Sequence, residues 1–335
     1  MQIGTYNGTP CLISPSSPNH HVLITGLSGG GKSVRQTQIE LDSAKNGSTV
    51  IVIDISRNHL PQFLLPEIAE EYENHTNRIN VATDGLHLHL LSPLQNERLT
   101  SLINSSCDIL SAGMKNGLRQ KAIIRKALEQ AISEAPDNLS ESQILNLIFR
   151  KNSADARWAS VFEKLYPVLN DDLLKHGNSN IIPSMINIFD FRNIDISTAE
   201  ILSEMLLSYL WREATTMSST SIICSIDEFQ HLRLGKNSTL RTVLREGRRF
   251  GLHLLLATQT LEIFTPSENA MLNQCATRLI FKPSSSELHK LAKQIAPDNV
   301  SEAESILRSL PVGSCLALGD KLINGTQICK PLILQ

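Results

Sequence analysis

Residues 26–33 read Gly-Leu-Ser-Gly-Gly-Gly-Lys-Ser, and no other stretch of this 335-residue chain limits its fold so tightly. Gly26, Gly31, Lys32 and Ser33 satisfy G-x-x-x-x-G-K-[ST], a string that arises by chance in roughly one chain of this length in a hundred. Such a loop works only between a strand and a helix. The apolar run Val22-Leu23-Ile24 precedes it, and a helix-compatible stretch to Lys45 follows, closed by Asn46-Gly47 as a stop. Glycines let successive N–H groups turn inward on an anion, and the new helix presents its positive end to the same point. The expected phosphate cradle is Ser28, Gly29, Gly30, Gly31, Lys32, Ser33 and Val34, with Lys32 reaching the β- and γ-phosphates of ATP. The Ser33 hydroxyl is the expected Mg²⁺ ligand.

The surrounding pattern is that of an α/β protein. Residues 2–14 read as a hairpin around Asn7-Gly8, followed by a Ser/Pro-rich connector to residue 19. A near-continuous apolar run at 49–55 suits a strand buried on both faces of a parallel sheet, and further strands are expected at 181–189, 221–226, 252–257, 278–282 and 314–318. Helical periodicity fills 198–215, 239–250 and 287–295 between them. From 96 to 180 strand signals nearly vanish and helical spacing takes over, as at Leu118, Ala122, Ile123, Ala127 and Ala131. The expectation is a core of residues 20–95 and 181–335 with a mostly parallel sheet, a hairpin and connector at 1–19, and a helical insertion at 96–180.

A second acidic element suits the loop. The strand Ile222-Ile223-Cys224-Ser225-Ile226 delivers Asp227-Glu228 at its end. Asp227 is expected to hold Mg²⁺ through water, and Glu228 to orient and deprotonate an attacking water. Hydrolysis is favoured over phosphoryl transfer by that adjacent glutamate. Between Arg233 and Arg249 six basic residues face one acid, Glu246. On a helix from Thr239, Arg241, Arg245 and Arg248 share one face, either a solvated surface or a source of an arginine reaching a neighbouring subunit's γ-phosphate. Gln259, at the end of an apolar strand, is the expected γ-phosphate sensor.

Composition excludes other classes. Charge is nearly balanced at −2, so any basic surface is local, and 4% aromatic content argues against stacking platforms for single-stranded bases. Six dispersed cysteines without a C-x-x-C pair argue against a disulfide framework or zinc site. No apolar run is long enough to span a membrane, and the N-terminus lacks a signal peptide's pattern, so a cytoplasmic location is expected. His20-His21 read as turn residues before the first core strand, and His87 with His89 lack a third metal ligand nearby. Lys115, Arg119, Lys121, Arg125 and Lys126 form a basic cluster that is either a solvated helix face or the lining of a DNA path.

The P-loop, the Asp227-Glu228 strand and the block Arg245-Glu246-Gly247-Arg248-Arg249-Phe250-Gly251-Leu252-His253…Ala257-Thr258-Gln259 together resemble the HerA/FtsK superfamily of P-loop motors. Its relatives include conjugative coupling proteins and type IV secretion ATPases. Leu272–Phe281 and Leu310–Leu316 are similar to two further strands of that family. The resemblance covers about 20–95 and 183–335. It implies a RecA-like P-loop NTPase core, assembly into a ring, usually of six subunits, and movement of DNA, sometimes protein, through a central pore. Carried over by position, Lys32 and Ser33 bind nucleotide and metal, Asp227 and Glu228 are the Walker B pair, and Gln259 is the sensor. Arg245, Arg248, Arg249 and Arg278 are the candidates for action in trans. HerA helicases carry an N-terminal β-barrel where this chain reads only as a hairpin, so a separate partner such as a nuclease is expected. Double-stranded DNA is the leading substrate; the alternatives are a secretion or conjugation ATPase acting on protein and a nucleotide-gated assembly module of a defence complex.

Overall fold

The computed structural model describes residues 1–56, 58–114, 117–134, 138–217 and 221–335. A hairpin of β1 (Gln2–Tyr6) and β2 (Thr9–Ile13) leads to β3 (Val22–Thr25), α1 (Lys32–Lys45) and β4 (Thr49–Asp54). Next come α2 (Pro66–Asn74), β5 (Thr76–Asn80), α3 (Val81–Asp84) and four consecutive helices: α4 (Leu99–Ala112), α5 (Leu118–Glu134), α6 (Glu141–Lys151) and α7 (Ala156–Asn170). The sheet resumes with β6 (Ile186–Asp190), α8 (Ile196–Met217), β7 (Ile222–Ile226), α9 (Thr239–Glu246) and β8 (Leu252–Thr258). The chain closes with α10 (Pro266–Leu272), β9 (Thr277–Ile280), α11 (Ser285–Ile295), α12 (Val300–Ser309), β10 (Cys315–Leu318), β11 (Lys321–Ile323), β12 (Thr326–Ile328) and β13 (Leu332–Leu334).

Nine strands form one sheet in the order β13-β10-β9-β3-β8-β7-β4-β6-β5. From β9 to β5 every neighbouring pair is parallel; β10 and β13 add an antiparallel edge. The two-residue period of a strand explains why the apolar runs are continuous. Leu23, Ile51, Ile53, Cys224, Leu254 and Leu256 turn to one face, where α4–α8 pack, while Val22, Ile24, Val50, Val52, Leu255 and Ala257 turn to the other, against α1 and the N-terminal hairpin. The helices between β5 and β6 therefore share one hydrophobic core with the sheet.

Several boundaries differ from the sequence pattern. The run at 181–189 becomes a strand only from Ile186, because the Asn187 side chain bonds both the N–H and the C=O of Ile182 and ties that stretch into a loop. The helix expected over 239–250 stops at Glu246 and tightens into a 3₁₀ turn, Gly247–Phe250, so Arg248 leaves the face it was expected to share with Arg241 and Arg245. Gly247 sits so close to β8 that a Cβ there would lie 2.4 Å from the Leu252 carbonyl. The N-terminal hairpin joins a second, antiparallel sheet in the order β1-β2-β11-β12, a long-range pairing that local patterns do not reveal. All six cysteines are free and five are buried. No described helix is long and apolar enough to cross a membrane. Lys115 of the basic cluster lies outside the described residues.

Candidate nucleotide site

Parallel register brings the chemistry to one edge. Thr25 of β3 stands opposite Thr258 of β8, Ile226 of β7 opposite Leu256, and Ile53 of β4 opposite Ile226. The segments leaving these strands carry the P-loop, Gln259, Asp227-Glu228 and Asn58, and all emerge at the carboxyl ends of the sheet, the usual place for a ligand in α/β folds.

The P-loop is held from beneath and from one side. Gly26 lies over Phe281, whose Cβ would be 2.7 Å from a side chain at that position, and Leu27 N–H donates to the Lys282 carbonyl at 2.9 Å. Gly31 opens α1 in the left-handed region at φ 103°, with Gly313 Cα only 2.9 Å from where its Cβ would be. The Gly313 N–H donates to Gly30 C=O at 3.0 Å. Buried Arg35 bonds the carbonyls of Ile3 and Gly313, fastening α1 to the hairpin and to the 311–313 loop. Ser28, Gly29 and the edge of Gly30 remain open to solvent, as a phosphate cradle requires, while Lys32 is buried and donates to Leu27 C=O at 3.1 Å. Burial lowers the Lys32 pKa, and the carboxylates of Asp227 and Glu228 raise it again.

The acidic pair stands beside the loop. Ser33 Oγ lies 3.4 Å from Asp227 Oδ2. Burial pushes the Asp227 pKa up, opposed by a hydrogen bond from Asn58 and the charge of His59. The Ser33 hydroxyl at the start of α1 and the Asp227 carboxylate just after β7 are two hard oxygens that fit a magnesium ion taking its remaining ligands from phosphate and water. Among the described residues no group of three or more His, Cys, Asp or Glu side chains could hold an ion unaided. Glu228 occupies the left-handed region at φ 51°, a conformation costing a non-glycine residue about 1–3 kcal/mol. Its N–H donates to Asp227 Oδ1 at 2.9 Å, and the amides of Gln259 and Gln230 each donate to one of its carboxylate oxygens at 2.6 Å. The carboxylate is thereby aimed.

A buried polar layer supports this pair. Asn58 Nδ2 donates to Asp227 Oδ2 at 2.7 Å, and Asn58 N–H donates to Asp54 at 3.0 Å. His59 lies 3.1 Å from Glu40 and 3.4 Å from Asp54, while Tyr72 donates to Glu40 at 2.6 Å. Burial works to lower the His59 pKa, but Glu40 and Asp54 outweigh it and hold it well above the usual histidine value. Removing one partner of such a buried pair costs about 3–5 kcal/mol. Asn58, His59, Glu40 and Gln230 escape a reading of motifs. The available signal was Asn-His four residues beyond a buried strand-end aspartate, and a glutamine two residues beyond Glu228.

The four candidate arginines lie elsewhere. Arg248 and Arg249 occupy the turn that enters β8, Arg245 ends α9, and Arg278 stands opposite Leu23 early in β9. That is the amino end of the parallel sheet, away from this protomer's own P-loop. Arg248 donates to Pro18 C=O, Arg249 stacks over Phe250, and half-buried Arg278 donates to Asn273 at 3.0 Å. His21 is at the same end and is no turn residue: it is buried, accepts the Leu254 N–H at 3.0 Å, and burial drives its pKa down to about 3. His89 packs on Tyr209 and bonds Ser92.

Residues 2–210 match the family described as helicase HerA, central domain. No curated protein matches the chain in sequence. Among solved structures, VirB4 of Thermoanaerobacter pseudethanolicus is similar at 18% identity and TM-score 0.68, over 98% of this chain and 95% of that one. The bacterial conjugative coupling protein TrwB, in its unbound form, is similar at 13% identity and TM-score 0.66, over 100% and 89%. TrwB in complex with ADP and Mg²⁺ is similar at 14% identity and TM-score 0.67, with the same coverage. At these identities the likeness is one of fold, and the fold is that of a RecA-like P-loop ATPase.

Proposed function

The chain belongs to the helicase HerA central-domain family and is a P-loop ATPase; from that premise we propose that it is an oligomeric, Mg²⁺-dependent motor that translocates or remodels double-stranded DNA. The observation that carries this reading is the juxtaposition of Ser33 with Asp227 at 3.4 Å, beside a lysine in the field of Asp227 and Glu228.

The residues divide the work as follows. Backbone N–H groups of 28–34 surround the phosphates, and Lys32 exchanges the Leu27 carbonyl for the β- and γ-phosphates. Ser33 and Asp227 would hold magnesium, which supplies charge neutralisation on the triphosphate. Glu228, aimed by Gln230 and Gln259, accepts the proton of the attacking water. Loss of the γ-phosphate lets Gln259 shift, passing the change into the segment after β8. Arg245, Arg248, Arg249 and Arg278 sit at the wrong edge to serve their own nucleotide, which favours a ring in which one of them completes a neighbour's site. Duplex DNA gripped through its phosphates would be moved without regard to sequence. A separate effector, such as a nuclease, would use the motor's product.

The test is ATP turnover with and without duplex DNA, wild type beside Glu228→Gln, with oligomer size measured in the same samples. Loss of a general base predicts a fall of about 10²- to 10⁴-fold with ATP binding retained. Turnover by an assembled ring that ignores DNA would remove the translocation reading. Undiminished turnover by the variant would remove the assignment of Glu228.

A further inference from the structure

A cleft of about 820 Å³ lies outside the nucleotide site, walled by α4, α5, α8 and the segment that joins Glu228 to α9. Its lining includes Ser101, Ser105, Ser208, Thr215, Thr239 and Thr242, and Trp211 contributes an aromatic edge. Most of those hydroxyls are spent within the protein: Ser105 donates to Ser101 C=O, Thr215 to Trp211 C=O and Thr242 to Ser238 C=O, while Ser208 and Thr239 bond each other. The charged groups sort cleanly. Glu97 is bound by Arg212 at 2.6 Å and Asp108 by Lys121 at 3.0 Å, so both acids in the lining are neutralised. Arg233 and Lys236 then remain as net positive charge. Arg125 adds to the rim by donating to Asn104, another lining residue, which brings part of the basic cluster of α5 to the mouth.

This chemistry distinguishes between anions. The Arg233 guanidinium is committed to the carbonyls of Ala112 and Gly113 at the end of α4, so it contributes field rather than a free fork for a carboxylate. Lys236, exposed on the loop, is a point charge of the kind that suits a phosphate. Phosphodiester oxygens, which position nucleic acid without reading its bases, are anions that such a point charge suits.

The cleft is also wired to the Walker B pair. Residues 229–239 run from Glu228 along α8, which holds them at a spacing of one helical turn. Glu200 pairs with His231 at 2.9 Å, Glu204 accepts the Arg233 N–H, and Ser208 bonds Thr239 at 2.6 Å. Arg212, the next position on the stripe, anchors Glu97 at the cleft floor.

We propose that this cleft seats one phosphodiester strand of the duplex, held by Lys236 and the Arg233 field, and that strand occupancy is communicated to Glu228 through residues 229–239. The inference rests on the DNA reading above and names the surface that makes the contact.

Two measurements on the full-length, assembled protein test it. The first is the affinity of a labelled duplex of about 30 base pairs across a salt series, for wild type, Lys236→Glu and Lys330→Glu, the last an exposed lysine outside the cleft. Lys236→Glu should weaken binding about 10-fold and reduce the salt slope by about 1, with Lys330→Glu unaffected. Equal binding and equal slopes for both variants would overturn the cleft while leaving DNA binding intact. Absence of duplex binding by wild type at low salt would overturn the DNA reading and the cleft together. The second uses Trp158→Phe, which leaves Trp211 as the only tryptophan. Unlabelled duplex should quench its emission. Tight duplex binding with unchanged emission, or quenching by a polyglutamate peptide and not by duplex, would overturn the proposal.

Discussion

Glu204 reports quantitatively on how the segment beyond Glu228 is held. Its carboxylate is only 2% exposed on α8, accepts the Arg233 N–H, and has Glu200 and the Arg233 charge as its ionisable neighbours. Burial pushes its pKa from 4.5 up to about 7; the Arg233 N–H and guanidinium oppose the rise, and Glu200 adds to it. An acid with a raised folded pKa binds its proton more tightly when folded. Stability therefore falls as pH climbs above the unfolded value, and the loss is complete once pH passes the folded value. Between about pH 5.5 and about pH 8.5 the integrated loss is about 2 kcal/mol, at about 1.4 kcal/mol per pH unit. Glu204→Gln keeps a carbonyl acceptor for Arg233 N–H and has no such proton to lose. Urea unfolding of both proteins at constant ionic strength should show the variant gaining about 2 kcal/mol on wild type across that range. Glu141, likewise pushed up to about 7 by burial, contributes the same slope to both proteins and cancels. A wild-type-to-variant difference that stays constant with pH would refute the buried contact between α8 and this segment.

Other outcomes follow from the same geometry. Asn58→Leu removes the 2.7 Å donor from Asp227, a charge-assisted bond of about 1.5–3 kcal/mol. Titrating Mg²⁺ against a fluorescent ATP analogue should show metal-dependent binding about 10- to 100-fold weaker, with metal-free binding unchanged. Gly31→Ala forces a side chain into φ 103° and against Gly313 Cα. Nucleotide affinity should fall at least about 10-fold, from about 1–3 kcal/mol of backbone strain, while far-ultraviolet circular dichroism stays native.

Much of the site could be read from the chain because its chemistry is local. Gly26 to Ser33 and Asp227-Glu228 each carry their geometry in a few consecutive residues attached to strands of obvious type. Pairing among distant segments is another matter. Nothing near Thr9–Ile13 announces that it will lie beside Lys321–Ile323, and nothing around Pro311 announces that Gly313 will touch the P-loop. The short helix α10 escapes detection because its start is set by a capping box between Thr265 and Glu268, too brief for periodicity to register. Asn58 and His59 escape for a related reason: their roles depend on Glu40 and Asp227, which come from other parts of the chain. The break at Gly247 moved Arg248 off its expected face because backbone crowding by β8, rather than side-chain spacing, ends that helix.

The central claim is that Ser33 and Asp227 share one metal-bound triphosphate. Its most direct test is a double-mutant cycle on Mg²⁺-dependent ATP binding, using Ser33→Ala, Asp227→Asn and the pair. Two groups serving the same ion predict that each single change removes most of the metal dependence and that the double loses little more, a coupling of about 1 kcal/mol or greater. Strictly additive losses would place the two residues in separate sites and contradict the account.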